Sequence, residues 1–402
     1  MNQSRHLNFR LMIGVLVLAS SVSIMSTDIY APSLPHLPDF FGTHAGMVKL
    51  TISLNVLMFG VGQMFHGPLS DRFGRKPVLL GAIALFTVSS FACALAQSIE
   101  QLIVARMLQG FMGAAEAVVG MAIFRDLFDE KQQVRALAIF GMSIALGPAV
   151  APIIGGYVHI WFNWRANFYL VGIFGVIATL LIWRLLPESA APDPGAIKPA
   201  RVLGSYGALL ADKRFITYAG MVGVGMGVIY AFITGGPFIL IRQLGIPTEH
   251  FGYYQAFIVA AYFIGSLVSM RAVGRLDPGR LLAIGLALVL AGGACFLALA
   301  GAGWITPMTF AGSFAVMTLG LGPVFAVAPA RAMLATERSA GSAAAMLGAC
   351  EMMVGGLAAG AVSVLHGDGV WPVGIPIAGL MLAVAGLAWG ARRLAARPAT
   401  AD

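Results

Sequence analysis

The sequence predicts an all-α polytopic membrane protein with twelve transmembrane helices in two pseudo-symmetric six-helix bundles. Three observations predict it. Of the 402 residues, 59% are hydrophobic and only 10% are charged, against roughly 25% charged residues in an ordinary soluble domain. The apolar residues fall in runs of about 20, the length that crosses a bilayer core as a helix, without the period-2 alternation of barrel strands. Landmarks of the first half recur in the second at one offset: Gly74-Arg75 with Gly274-Arg275, Gly120 with Gly320, and Gly155-Gly156 with Gly355-Gly356. Parallel six-helix repeats of this kind are one way transporters are built. The composition also excludes a disordered chain, which would be poor in apolar residues. A collagen-like chain is excluded because the 50 glycines follow no three-residue period.

The elements follow in order. The first apolar run, Leu11 to Ile29, comes after Arg5 and Arg10 in the manner of a secretory signal. It is too long for a signal core and ends in Thr27-Asp28-Ile29-Tyr30 rather than at small residues, so it is read as a retained span over 11–30. Further spans are expected at 47–67, 78–96, 99–122, 135–158 and 166–186. The longest interior break follows, with Pro187, Pro192, Pro194, Pro199 and several charges, and reads as a linker. Spans resume at 215–235, 251–270, 281–300, 305–327, 341–364 and 373–391. The expected organisation is an N-terminal bundle over 1–186, a linker over 187–214 and a C-terminal bundle over 215–402.

The net charge of +8 is mainly topological. Basic residues cluster in alternate loops: Arg5 and Arg10; Arg72, Arg75 and Lys76; Arg125, Lys131 and Arg135; Arg184, Lys198, Arg201, Lys213 and Arg214; Arg271, Arg275 and Arg280; Arg331 and Arg338; Arg392, Arg393 and Arg397. The opposite loops hold only Arg165 and Arg242. This bias places both termini and the linker in the cytoplasm, and leaves no basic surface to suggest nucleic acid. Cys93, Cys295 and Cys350 lie in apolar runs and read as small buried hydrophobes. His36, His44, His159, His250 and His366 map to outward loops or helix ends and read as interfacial residues. No spacing suggests a metal or cofactor site.

A charge at the centre of a spanning helix costs about 2.5–3.5 kcal/mol on insertion scales, so each needs a reason. Lys49 is near enough to a helix end to snorkel. Asp28 and Arg106 both fall in the outer half of the membrane, where they could interact directly or through water. Such an Asp beside a cavity can carry a proton, its charge state biased by the Arg; a static salt bridge or an interfacial Asp is the alternative. Glu116 lies ten residues after Arg106, about 15 Å deeper, among small residues that permit close helix packing. It is either a second acid facing the cavity or a bond to a neighbouring helix. Glu351 sits mid-span, open to three readings: contact with a cationic substrate, a proton carrier, or a protonated carboxyl bonded within its own half.

Several motifs carry chemistry. Gly67-Pro68-Leu69-Ser70-Asp71-Arg72-Phe73-Gly74-Arg75-Lys76 joins the second and third spans. Gly67 lets helices approach, Asp71 can accept charge-assisted hydrogen bonds, and Gly74 permits a tight turn. The loop resembles the signature loop of the major facilitator superfamily. By that resemblance, Asp71 and its neighbours Arg72, Arg75 and Lys76, with Arg125 and Asp126, form a cytoplasmic latch stabilising the outward-open state. Arg106-Met107-Leu108-Gln109-Gly110 resembles the superfamily's second motif, whose Arg is tied to proton coupling. Gly147-Pro148-Ala149-Val150-Ala151-Pro152-Ile153-Ile154-Gly155-Gly156 resembles the antiporter motif, with Ala151 where that motif usually has Gly. The stretches Ser26 to Pro35, Phe124 to Phe128 and Tyr230 to Phe238 are similar to the bicyclomycin-resistance (Bcr/CflA) branch of the drug:proton antiporters.

The resemblance implies a monomeric, proton-driven exporter of small molecules in the bacterial inner membrane. Asp28, Arg106 and Glu116 would couple protons. Tyr30, Asn55, Met58, Gln63, Met142, Tyr230, Tyr254, Gln255 and Glu351 would line the substrate cavity between the halves. A facilitator or proton symporter is the alternative within transport, and a membrane receptor or assembly factor the alternative outside it. No phosphate-binding Gly-x4-Gly-Lys-Ser/Thr loop is present, and no intramembrane nucleophile–His pair, so neither an ATPase nor an enzyme is expected.

Overall fold

The computed structural model describes residues 9–336, 340–365, 367 and 369–395. Arg5, Arg338, Arg397 and His366 lie outside the described residues, as do the side chains of Arg10, Met142 and Arg201. Among the described residues, twelve helices are long and apolar enough to cross a membrane, and no strand is present. The first half contains α1 (Phe9–Asp28), α2 (Ala45–Phe73), α3 (Arg75–Leu95), α4 (Ile99–Leu127), α5 (Glu130–Trp161) and α6 (Trp164–Leu185). The linker holds a short helix, α7 (Pro199–Ala211). The second half contains α8 (Lys213–Gln243), α9 (Phe251–Ala272), α10 (Pro278–Gly301), α11 (Pro307–Leu334), α12 (Ala340–Val364) and α13 (Trp371–Ala395).

The expected spans are present, and several helices run past their apolar stretch. The second, expected to end at 67, continues to Phe73, and the tenth, expected to end at 327, continues to Leu334. Hydropathy marks where lipid ends, whereas a helix ends where its backbone finds other partners. Polar caps set many of these ends: Ser98, Asn163, Asp212 and Asp277 accept from the first backbone N–H groups, and Asp129 and Thr306 form capping boxes. The segment read as a linker is not irregular throughout. Its helix α7 buries Tyr206 and Leu209 against Phe215, Ala219 and Met346 of the second half, while Leu203 and Leu210 stay exposed. Its apolar residues recur at helical spacing within a segment whose prolines all precede the helix interior.

The repeat is visible in backbone detail. Gly74 and Gly274 occupy matching turns with φ of 97° and 84°, a region that disfavours side chains. One face of the molecule carries the linker and these turns, and is called here the linker face. At the opposite face the halves close on each other through backbone. A Cβ on Gly252 of α9 would lie 2.5 Å from the Ile153 nitrogen of α5, and one on Gly156 would lie 2.9 Å from the Glu249 Cα. Gly155 packs against the Ile29 carbonyl too closely to admit any side chain. His36 adds a bond to Thr248 Oγ1 across the seam at 2.9 Å, and its ring stacks on His159 at 4.6 Å between centroids.

Candidate functional site

Sealed at one face, the halves part toward the other around a cavity of about 1810 Å³. Its mouth on the linker face is lined by Asp71, Arg75, Arg125, Asp212 and Thr336, and it reaches Asp28, Gln255 and Thr318. Phe59, Tyr230, Phe232, Tyr262, Phe314 and Phe325 supply aromatic walls. Arg75 and Arg125 are the basic residues among the lining, and both sit at the mouth.

Asp28 ends α1 beside the seam and is buried. Its carboxylate accepts a hydrogen bond from Gln255 Nε2 of α9 at 2.8 Å, so the contact crosses between the halves. The same nitrogen donates to the Pro148 carbonyl of α5 at 3.1 Å. That carbonyl needs an outside donor because the residue four positions on, which would normally bond it, is Pro152 and has no N–H. The two prolines of the motif therefore prepare an acceptor that only another helix can satisfy.

Arg106 is wholly buried, and it does not line the cavity. Its guanidinium donates to the Ser26 carbonyl at 3.3 Å, Gln109 Oε1 at 2.5 Å and Thr27 Oγ1 at 3.2 Å. The Tyr30 and Phe168 rings flank it, with centroids 5.5 and 5.8 Å away. Asn55 bonds the Arg106 carbonyl and accepts from Thr27, and Gln109 continues the chain to Ser90. Among the described residues, Asp28 and Arg106 form no ion pair. The static salt bridge considered from sequence is absent, because Thr27 and the Ser26 carbonyl take the guanidinium instead. A fork of fixed donors suits several oxygen acceptors at once.

Glu116 begins a wide π turn, Glu116–Gly120, accepts from Ser20 Oγ, and also lines the cavity. Its two sequence readings are thus combined. Glu351 lines the cavity too, and among the described residues no group donates a hydrogen bond to it. The reading of a carboxyl bonded within its own half is not met. Lys49 does not snorkel: it is buried, with its ammonium 4.9 Å from the centroid of the Phe238 ring in the other half.

Of the expected lining residues, Asn55, Gln63, Tyr230, Gln255 and Glu351 line the cavity. Tyr30, Met58 and Tyr254 do not. Tyr30 is fully buried, bonded to Thr51 at 3.3 Å and packed on Phe168. Tyr254 packs against the apolar core. Met58 and Tyr254 are turned away by their rotation about the helix axis, and Tyr30 sits in the turn that follows α1. Met142 lies outside the described side chains.

At the linker face, Arg75 pairs with Asp71 at 2.5 Å and Asp126 at 3.2 Å, and bonds Ser70 Oγ at 2.7 Å. The Glu188 carboxylate accepts from the Arg75 and Lys76 backbone N–H groups, capping α3. It occupies the space a Cβ on Gly74 would need. Arg72 bonds the Pro194 carbonyl and Lys76 the Trp183 carbonyl, while Arg125 is exposed at the mouth. Gly67 faces Val118 of α4. These contacts lie within the first half and the linker. The linker helix also grips α2, with Tyr206 donating to the Met64 carbonyl at 3.0 Å. Burial, and the nearby Asp71 charge, push the Tyr206 hydroxyl above its usual pKa and keep it a donor.

Sequence reasoning missed Gln109, Glu188 and Tyr206. Gln109 was accessible, since it sits one turn from Arg106 on the same helix face. Glu188 and Tyr206 act across more than a hundred residues and left no local signal. Among the described residues, no group of three or more His, Cys, Asp or Glu is placed to hold a metal ion.

Comparison with known proteins agrees with this geometry. The profile of the Major Facilitator Superfamily matches residues 16–360. A chloramphenicol resistance protein of Pseudomonas aeruginosa is 28% identical over 399 residues, covering 96% of this chain and 92% of its own. A bicyclomycin resistance protein homologue of Haemophilus influenzae is 28% identical over 369 residues, covering 91% of each chain. The crystal structure of a bacterial homologue of the lysosomal transporter Spinster, inward-facing and unoccupied, superposes with a TM-score of 0.72 at 15% identity, covering 98% of this chain and 96% of that one.

Proposed function

This chain belongs to the major facilitator superfamily, and from that premise we propose that it is a proton-coupled exporter of small drug-like molecules in a bacterial inner membrane. The names of its relatives suggest chloramphenicol and bicyclomycin as first candidate substrates. The bundles 1–186 and 215–402 rock against each other about the cavity. The positive charge of the linker face makes that face cytoplasmic, so the state described above is inward-open and ready to take substrate from the cell.

One observation carries the reading. Asp28 is a buried carboxylate at the far end of the cavity, has no ion-pair partner among the described residues, and is bonded across the seam that must open for release. A group so placed exchanges a proton at a cost that depends on which face is open. Arg106 and its neutral partners fix the shape of α1 and α4 around Asp28 and keep a positive charge near it. Glu116 serves as a second acid on the path to the mouth. Asn55, Gln63, Tyr230 and Glu351 contact substrate, and the aromatic walls accept varied apolar bodies. The network of Asp71, Arg75, Asp126 and Glu188 becomes the cytoplasmic latch when the mouth closes, with Gly67, Arg72, Gly74, Lys76 and Arg125 shaping that loop. Gly147, Pro148, Pro152, Gly155 and Gly156 form the sliding seam.

The test is flux in proteoliposomes with an imposed pH gradient. Chloramphenicol transport should follow the gradient, stop when it is collapsed, and be abolished in Asp28→Asn. Gradient-driven transport surviving in Asp28→Asn would sink the coupling assignment. Equilibration of substrate without any gradient effect would point to a facilitator instead.

A further inference from the structure

Gln255 was expected only to touch substrate, yet it joins three helices from both halves. Both atoms it contacts through Nε2, the Asp28 carboxylate and the Pro148 carbonyl, are acceptors. That fixes which end of the amide is nitrogen. Both of its N–H groups are therefore committed across the seam. Its own oxygen, Oε1, is buried and has no hydrogen-bond partner among the described residues.

We propose that Gln255 is a positioning residue that makes closure of the outer face depend on the charge of Asp28. The inference rests on Asp28 as the proton site. With Asp28 ionised, the α9–α1 bond is charge-assisted and roughly twice as strong as a neutral one. The amide then clamps α9 to α1 and α5 beside the contact of Gly252 with Ile153. When Asp28 takes a proton, its new O–H needs an acceptor, and the unpartnered Oε1 belongs to the residue already in contact. A half-turn of the amide presents that oxygen to Asp28. It also withdraws the N–H from Pro148 and sets two oxygens against each other there. If the amide does not turn, the bond to Asp28 is only a neutral one. Either way the clamp weakens.

The stacked His36 and His159 also titrate at this seam, and a pH response that belonged to them would persist in Asp28→Asn. Arg106 of α4 and Tyr230 of α8 are the groups whose charge reaches Asp28. The first is permanently cationic and the second is neutral across the working range. From α5 the facing group is the Pro148 carbonyl, which does not titrate. The clamp thus holds the empty, ionised transporter shut on the outside. It prevents the unloaded return that would turn exchange into a leak, until substrate competes for Asp28 or Gln255.

The experiment uses the full-length protein in lipid nanodiscs with spin labels at Gln97 and Trp304, exposed turns of the two halves on the outer face. In wild type, the outward-open population should rise about fivefold from alkaline to acidic pH, the ratio between a charge-assisted and a neutral hydrogen bond. Gln255→Leu should be open to the acidic level at every pH, and in proteoliposomes should let substrate equilibrate without a gradient. Pro152→Ala gives Pro148 an intrahelical donor, and should shift the equilibrium the same way by a smaller factor. Asp28→Asn should be flat with pH. A flat Asp28→Asn with a wild-type pH response in Gln255→Leu overturns the role of Gln255 alone. A wild-type pH response in Asp28→Asn overturns the proton-site reading itself.

Discussion

At the same membrane depth, the two halves hold different chemistry. In the first half, Arg106, Gln109, Ser90, Thr27 and Asn55 form one continuous hydrogen-bonded chain behind the cavity wall. In the second half, the corresponding space is filled by rings: Phe232 and Phe296 each pack on the adjoining Phe310 and Phe314, with centroids 5.1–5.9 Å apart across these contacts. The acid on that side, Glu351, lines the cavity and has no hydrogen-bond donor among the described residues. Directional bonds specify one arrangement and resist change in charge. Aromatic packing contributes about 0.5–1.5 kcal/mol per pair and tolerates varied shape. Under the proposed function, the contrast makes the first half the main seat of charge management and gives the second half the more adaptable share of the cavity wall.

The largest expected effect breaks the first half. Arg106→Lys keeps the charge and loses the planar fork that serves three acceptors. Gradient-driven efflux in proteoliposomes should fall at least about tenfold, as expected when a fork to several oxygens becomes a point charge. Near-normal efflux would show that the charge alone matters and that the network is incidental.

Next comes the seam between the halves. Gly252→Leu pushes a side chain into the Ile153 backbone. Overpacking of this kind costs about 1–3 kcal/mol, so the outer face should open about 5–150-fold more often. The same spin labels at Gln97 and Trp304 would report it. An unchanged distance distribution would mean the seam gives way elsewhere.

Glu351→Gln in the second half should leave gradient dependence intact and change the ranking of substrates. KM for amine-bearing compounds should rise about fivefold to tenfold, the loss of one charge-assisted contact, with little change for chloramphenicol. A loss of pH-gradient dependence instead would move Glu351 into the coupling group and blur the division between halves.

The smallest effect belongs to the linker. Tyr206→Phe removes one hydrogen bond, worth about 1 kcal/mol, and should lower thermal stability in detergent slightly while sparing transport. A transport defect larger than the stability change would make α7 part of the gate.

Much of this was legible in the sequence for a physical reason. Lipid imposes length and apolarity on every span, so twelve helices could be counted, and intramembrane charges such as Asp28 and Arg106 stood out against them. Rotation about a helix axis leaves no such mark in spans that are apolar on most faces. Tyr254 therefore reads as a cavity wall although it packs on the core, and Tyr30 does so because the turn that buries it after α1 is equally silent. The hydrogen-bond partners of Arg106 were less legible, because opposite charge is visible in a sequence and a backbone carbonyl such as that of Ser26 is not. The linker helix was hidden by the prolines ahead of it.

The seam at Gly155, Gly156 and Gly252 has one further consequence. Its surfaces are main chain, with no rotamers to freeze. Closing a gate lined by long side chains would cost up to about 2 kcal/mol of lost side-chain freedom for each residue ordered, and that ordering would have to be repeated in every turnover. Main chain meeting main chain leaves nothing to search for. The outer face can re-form on every cycle as fast as two rigid bodies come together.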